Sequence, residues 1–159
     1  MGDMLVKLYE LPPLEPTLTA QREKGVIIRR GLPPEKHHVA AWVGRHFSPF
    51  WVSEVEVAFS RAPLSCFLAL ADERLIGFAC HDVTFKGFFG PTGVSEAARG
   101  RGTGHALLLA SLHDLRAMGY AYGVIGSAGP VDFYKRAVNA IEIPDSTPGP
   151  YAHLLRTSE

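Results

Sequence analysis

Arg99-Gly100-Arg101-Gly102-Thr103-Gly104 sets three glycines at alternate positions directly before a long helical pattern, with Leu108, Leu112 and Leu115 at i, i+4 and i+7. Glycine starts helices poorly, because it exposes backbone and loses much entropy on folding. It becomes useful where the backbone must come very close to another group. An open helix N-terminus presents unpaired N–H groups and a partial positive charge. Together the two features point to an anion, and a phosphate foremost.

Two common phosphate loops do not fit. A P-loop needs G-x-x-x-x-G-K-[ST], and no such lysine follows these glycines. A dinucleotide fingerprint needs G-x-G-x-x-G after a first strand and an acidic residue about 20 positions on. Glycines 100, 102 and 104 lack that spacing, and the unit lies late in the chain.

The loop needs a strand before it and a helix after it. "GFFGPTGV", ending at Val94, supplies the strand, and Gly119 stops the helix. "YAYGVIGSA" reads as a buried strand, and Pro130 opens a helix through "PVDFYKRAVNA". Upstream, Val26–Arg30 is β-branched and strand-like. "LPPEKHHVAAWVGRHF" carries Val39, Trp42, Val43 and Phe47 at helical spacing, and Ser48-Pro49 and Pro63 bracket a second helix. Cys66 to Val83 holds two apolar runs around Ala71-Asp72-Glu73-Arg74, a hairpin. Met4–Tyr9 predicts a short strand, the polar, proline-bearing Leu11–Gly25 a connector, and "IEIP" and "YAHLLR" final strands. The expected fold class is α/β with a mixed sheet: residues 1–24 as an N-terminal strand and connector, residues 25–159 as one domain. The strand ending at Val94, the helix and the strand after Tyr120 form a βαβ unit.

The loop matches R-x-x-G-x-G, and at this point the sequence resembles the GNAT superfamily of N-acetyltransferases. The resemblance runs through most of the chain after Gly25. It is most specific from Gly90 to Ala140, where "PTGV", the loop, the long helix, "YGVIG" and "FYKR" follow in order. It implies the acyl-coenzyme A N-acyltransferase fold, acetyl-coenzyme A as cosubstrate, and direct attack by an amine with no metal. The N–H groups of Gly100, Arg101, Gly102, Thr103, Gly104 and His105 would hold the pyrophosphate, with Arg101 adding charge at the rim. Arg99 either touches phosphate or buttresses the loop. The pantetheine would add as a strand along Thr92 to Val94, in a gap where this strand and 121–127 splay apart. The Val94 N–H would face the developing oxyanion. Tyr134 stands where the family's usual proton donor does; the alternative is a core aromatic. Ser127 stands seven residues earlier, where the family often has an asparagine that bonds the pantetheine.

The general base stays open among His81, Asp82, Glu54 and Glu56, and His37-His38 reads as surface. The acceptor is an amine of a small molecule, peptide or protein, and the helix pair at 33–62 should form much of its pocket; Trp42, Phe50, Trp51 and Phe59 make the pair aromatic, most of them as core residues. Two other readings share these residues: an acyl-coenzyme A sensor or partner-binding module, and a binder of another phosphorylated ligand.

Composition narrows the class. Lys+Arg and Asp+Glu each number 16 in 159 residues, which argues against a nucleic-acid binder. No apolar run approaches the roughly 20 residues that span a bilayer, and the N-terminus carries no signal-peptide pattern, so neither a membrane nor export is expected and the cytoplasm is the expected location. Cys66 and Cys80 sit in apolar runs as small hydrophobes. The apolar "MLVKLYELPPL" could extend the sheet or cross to a second subunit, the basis for expecting a homodimer.

Overall fold

The continuous apolar runs at 66–71 and 75–80 suit strands covered on both faces, and the computed structural model, which describes Met1–Glu159, shows how the two faces are filled. The strands are β1 Met4–Lys7, β2 Val26–Arg30, β3 Cys66–Ala71, β4 Arg74–His81, β5 Phe88–Val94, β6 Tyr122–Ile125 and β7 Ile141–Glu142. The helices are α1 Glu15–Glu23, α2 Lys36–His46, α3 Pro49–Ser60, α4 Thr103–Ala117 and α5 Val131–Val138. All seven strands form one sheet in the order β2-β3-β4-β5-β6-β1-β7. Only β5 and β6 run parallel, joined through α4.

On β3, Cys66 and Leu68 face one way with Phe78 and Cys80 of β4, under Val39, Trp42 and Val43 of α2 and Val55 and Phe59 of α3. Ala69 and Ala79 face the other way, against Leu107, Leu108 and Leu112 of α4. Each fully buried leucine contributes about 2 kcal/mol, and α4 is buried from Ala106 through Leu112 without a break. The stripe read from the sequence is therefore a helix covered nearly all round. Both cysteines are free, buried and paired in register across β3 and β4.

Two stretches differ from the sequence reading. Leu11–Gly25 is no connector, because most of it is α1, with Pro16 in its first turn. The apolar signal was weak because α1 lies on the rim and buries Gln21 instead of a leucine stripe. The final strand expected over "YAHLLR" does not form. That stretch is a short 3-10 turn, Gly149–Tyr151, followed by irregular chain. The N-terminal apolar segment lies within its own chain's sheet, with β1 antiparallel to both β6 and β7. Its hydrophobicity is thus accounted for without a second subunit.

The feature that makes a site is the divergence of β5 from β6. Their pairing stops at Phe89 and Ile125. Just there, His81↔Phe89 and Ala79↔Thr92 are consecutive matched positions between β4 and β5, so β5 carries an extra residue at Gly90-Pro91. A bulge of this kind bends the strand and ends local pairing. From Thr92 to Val94, β5 stays paired with β4 while its other edge lies open.

Candidate functional site

Gly100 and Gly102 both have φ of +80°, a left-handed conformation that costs side-chain-bearing residues energy. Gly102 is the N-cap of α4, and the first intrahelical bond runs from the Ala106 N–H to the Gly102 carbonyl. The N–H groups of Thr103, Gly104 and His105 are therefore free of the helix ladder. A β-carbon on Gly104 would meet only Val94, at 3.9 Å, so that glycine leaves open space rather than relieving strain.

The loop is held from α1. Gln21, 2 % exposed, donates from Nε2 to the Arg101 carbonyl at 2.9 Å and accepts from the Thr103 hydroxyl at 2.9 Å. Lys24 Nζ donates to the same carbonyl at 2.9 Å. Sequence reasoning missed both residues, and nothing in a polar segment without periodicity marks them. Arg99 Nε donates to the Val94 carbonyl at 3.0 Å, so it ties the loop to the end of β5. The Arg101 side chain is exposed and makes no hydrogen bond. The His105 ring is half-buried, edge-on to Phe133, with Nε2 unpartnered, and burial pushes its pKa down.

Three connected cavities run from this loop along the open edge of β5. The first, of about 260 Å³, is lined by Val94, Gly100, Gly102, Gly104 and His105. The second, of about 500 Å³, shares Val94, Gly104 and Phe133 with it and continues past Thr92 to Tyr134. The third, of about 400 Å³, shares Thr92 and Tyr134 with the second and ends at Glu54, Ser127 and Tyr151. The Ser95 N–H turns to the Ile76 carbonyl at 2.8 Å. By the alternation of an antiparallel ladder, the Val94 and Thr92 N–H groups then face the open edge. The Thr92 hydroxyl itself donates back to the Phe78 carbonyl at 3.1 Å.

The junction of α2 and α3 closes one wall. A β-carbon on Gly93 would collide with the Phe47 ring, so only glycine lets that ring lie on β5. Phe47 in turn packs on Trp51, 4.8 Å between centroids, and Trp51 lines the second and third cavities. Of the other aromatic residues of this helix pair, Trp42 and Phe59 are core, as expected for most of them, and Phe50 is exposed.

Tyr134 stands where the second and third cavities meet, 7 % exposed, and its hydroxyl makes no hydrogen bond within the protein. Burial pushes its pKa up, so it carries its proton near neutral pH. Phe133 points to the loop end. Ser127 reaches the third cavity as an exposed residue, and its N–H donates to Asp3 Oδ1 at 2.8 Å.

Of the four candidate bases, three lie elsewhere. His81 is fully buried, donating from Nε2 to Asp114 Oδ2 at 2.6 Å, and stacks on Phe67. Arg30 completes that group with bonds to both Asp114 oxygens at 3.0 and 2.7 Å. Asp82 caps a turn, accepting from the Gly87 N–H at 2.7 Å and the Tyr120 hydroxyl at 2.8 Å. Glu56 is exposed and lines no part of the trough. Glu54 alone lines it: half-buried, it accepts a hydrogen bond from the Thr84 hydroxyl, and burial pushes its pKa up.

The family described as "Acetyltransferase (GNAT) family" matches residues 29–138, well over half of the chain. The chain belongs to this family. The fold of this GNAT protein is also that of solved structures. With the GCN5-related glucosamine N-acetyltransferase region of a fungal multi-domain GH3 β-N-acetylglucosaminidase it shares 16 % identity at a TM-score of 0.72, over 89 % of this chain and 19 % of that one. With a GCN5-related N-acetyltransferase from Sphaerobacter thermophilus the values are 20 % and 0.68, over 89 % and 48 %. With one from Kribbella flavida they are 14 % and 0.60, over 89 % and 53 %. The GNAT chain thus spans about half or less of the length of these structures. No curated protein matches it by sequence. The matched residues begin after α1, so the Gln21 and Lys24 contacts to the loop lie outside the family's matched segment. No helix is long and apolar enough to cross a membrane.

Proposed function

We propose that the protein transfers the acetyl group of acetyl-coenzyme A to a primary amine by direct attack. The observation that carries this reading is the continuity of the trough. One end is a helix N-terminus lined with glycines, the middle is a strand edge with free N–H groups, and Tyr134 stands beyond it.

The residues present suit the cosubstrate. The Thr103, Gly104 and His105 N–H groups and the positive end of α4 favour a pyrophosphate, and open space at Gly104 lets it approach. Free groups on β5 between Thr92 and Val94 can pair with the amides of a pantetheine arm as an added strand. The Thr92 N–H, at the end of the arm nearest Tyr134, is then the donor for the oxyanion that develops at the thioester carbonyl, a contact worth roughly 3 kcal/mol, in place of the Val94 N–H, which stands at the loop end. Tyr134, neutral and facing the trough, holds a proton for the departing sulfur, whose conjugate acid has a pKa of about 8.5. Ser127, at the far end and without the reach of an amide side chain, plays no part in holding the arm in this reading.

Calorimetry with acetyl-coenzyme A and thiol release with a panel of amines test the reading together. Binding with amine-dependent thiol release is expected. Binding without release from any amine would leave an acyl-coenzyme A sensor, and no binding would point to another phosphorylated ligand.

A further inference from the structure

The trough is electrically lopsided. Its arginine, Arg99, and the positive end of α4 stand at the loop end. The third cavity is lined by no lysine, arginine or histidine. It has one carboxylate, Glu54, whose only hydrogen-bond partner is the Thr84 hydroxyl. None of the ion pairs in the protein involves Glu54. Carboxylates withdrawn from water are normally paired with a cation or a metal; Met1 also lines this cavity, but its amino group makes no ion pair with Glu54. The negative field reaches across the cavity: Tyr151 is pushed up to about 12, by burial first and then by Asp3 and Glu54. The walls are otherwise apolar and aromatic, with Trp51, Phe89, Tyr134 and Tyr151 among them. Trp51 is fixed against Phe47 and Phe78, at 4.8 and 6.1 Å between centroids.

We infer that this third cavity is the acceptor site, and that it takes a primary alkylammonium ion with an aromatic or apolar body, its nitrogen against Glu54 and its body among Trp51 and Tyr151. The inference rests on the acetyl-transfer reading. An aromatic wall beside a lone carboxylate attracts a cation both by charge and by the ring faces. One carboxylate among apolar walls selects against anionic amines by repulsion. It also selects against polycations, whose further charges would lose water without a partner.

The same contact supplies the missing base. Glu54 takes one proton from the ammonium, and the freed lone pair forms the N–C bond to the thioester carbonyl. The C–S bond then breaks with its electron pair on sulfur, and the sulfur takes the Tyr134 proton. Tyr134 recovers a proton from the new amide nitrogen, and Glu54 returns its own to solvent. One ammonium and one thioester give one amide, one thiol and one released proton. Glu54 is suited to this because burial pushes its pKa toward that of the proton donor.

The intact protein and 2-phenylethylamine are the test. Calorimetry in the presence of coenzyme A should detect the amine. Glu54→Gln should weaken that binding at least about tenfold, with acetyl-coenzyme A affinity unchanged as proof of folding. Tyr151→Leu, away from the carboxylate, should weaken it severalfold. In turnover, 2-phenylethylamine should exceed both L-glutamate and spermidine in kcat/KM by at least about tenfold. Unchanged amine binding in Glu54→Gln, or a preference for glutamate or spermidine, overturns the inference. So does an amine that fails to bind at about 10 mM, weaker than specific recognition requires, while acetyl-coenzyme A binds. Failure of acetyl-coenzyme A itself to bind overturns the acetyl-transfer reading instead, and the direct amine measurement still decides the site.

Discussion

The Thr103 hydroxyl donates to Gln21 Oε1 at 2.9 Å, across 82 positions of sequence and with both side chains buried. Gln21 spends its other end on the Arg101 carbonyl, so one α1 side chain fixes both flanks of Gly102. Gln21→Ala would leave the Thr103 hydroxyl without a partner, and a buried group left so costs roughly 1–3 kcal/mol. Urea denaturation should show that loss. Adding Thr103→Val should cost less than the sum of the two single changes, because both partners are then gone.

The loop glycines separate strain from occupancy. Gly102→Val forces a branched side chain into φ +80°, with its β-carbon 3.3 Å from Gln21 Nε2, so it should lose roughly 1–2 kcal/mol or more of stability along with acetyl-coenzyme A binding. Gly104→Val carries no such backbone penalty and puts its side chain into the first cavity. It should fold normally by thermal denaturation and bind acetyl-coenzyme A poorly in calorimetry. Full-strength binding by Gly104→Val would mean that the phosphates sit elsewhere.

Tyr134→Phe keeps the ring in its packing and removes the hydroxyl. Acetyl-coenzyme A affinity should change little. The chemical step should slow by about 10²- to 10⁴-fold, as for loss of a general acid, in kcat and in kcat/KM alike. Because burial raises the Tyr134 pKa, the proton is present across neutral pH, and the basic limb should disappear in the variant. Single-turnover measurement isolates the step from product release. An unchanged rate would return Tyr134 to a packing role.

Asp114 links stability to pH. Burial alone would raise its pKa, but hydrogen bonds from His81 and Arg30, with their charges, outweigh burial and hold it well below the usual carboxylate range. A carboxyl with a depressed folded value contributes stability that is present above its unfolded value, about 3.9, and is lost as pH falls through the folded one. Asp114→Asn should lower stability at neutral pH by about 3 kcal/mol, the low end for breaking a buried ion pair because Arg30 is partly exposed. It should also flatten the decline of the melting temperature below about pH 4. Equal slopes for variant and parent would place the acid sensitivity in other carboxylates.

The order of elements from β2 to α5 was legible because each rests on local chemistry. Pro49, Pro130 and Gly119 punctuate, two apolar runs around Ala71-Asp72-Glu73-Arg74 mark a hairpin, and glycines 100 and 102 occupy positions that need positive φ. The glycine loop was legible for the same reason, while Val94 and Tyr134 were named through the resemblance to the GNAT family that the loop carries, and all fall along one trough. Leu11–Gly25 hid α1 because its anchoring contact is one buried amide rather than an apolar stripe, and the chosen partner, Thr103, lies far away in sequence. The general base was open for a related cause. His81, Asp82, Glu54 and Glu56 have equal chemical standing in a sequence, and what separates them is the surface each meets once folded. The sheet turns His81 into the core beside Asp114, the helix turns Glu56 to water, and the bulge at Gly90-Pro91 opens the strand edge that leads to Glu54. Residue types and spacing determine which groups can do chemistry and which segments carry them. Long-range packing decides which one stands, unpaired and partly desolvated, where a substrate can reach it, because burial and pairing depend on neighbours brought together only by the fold.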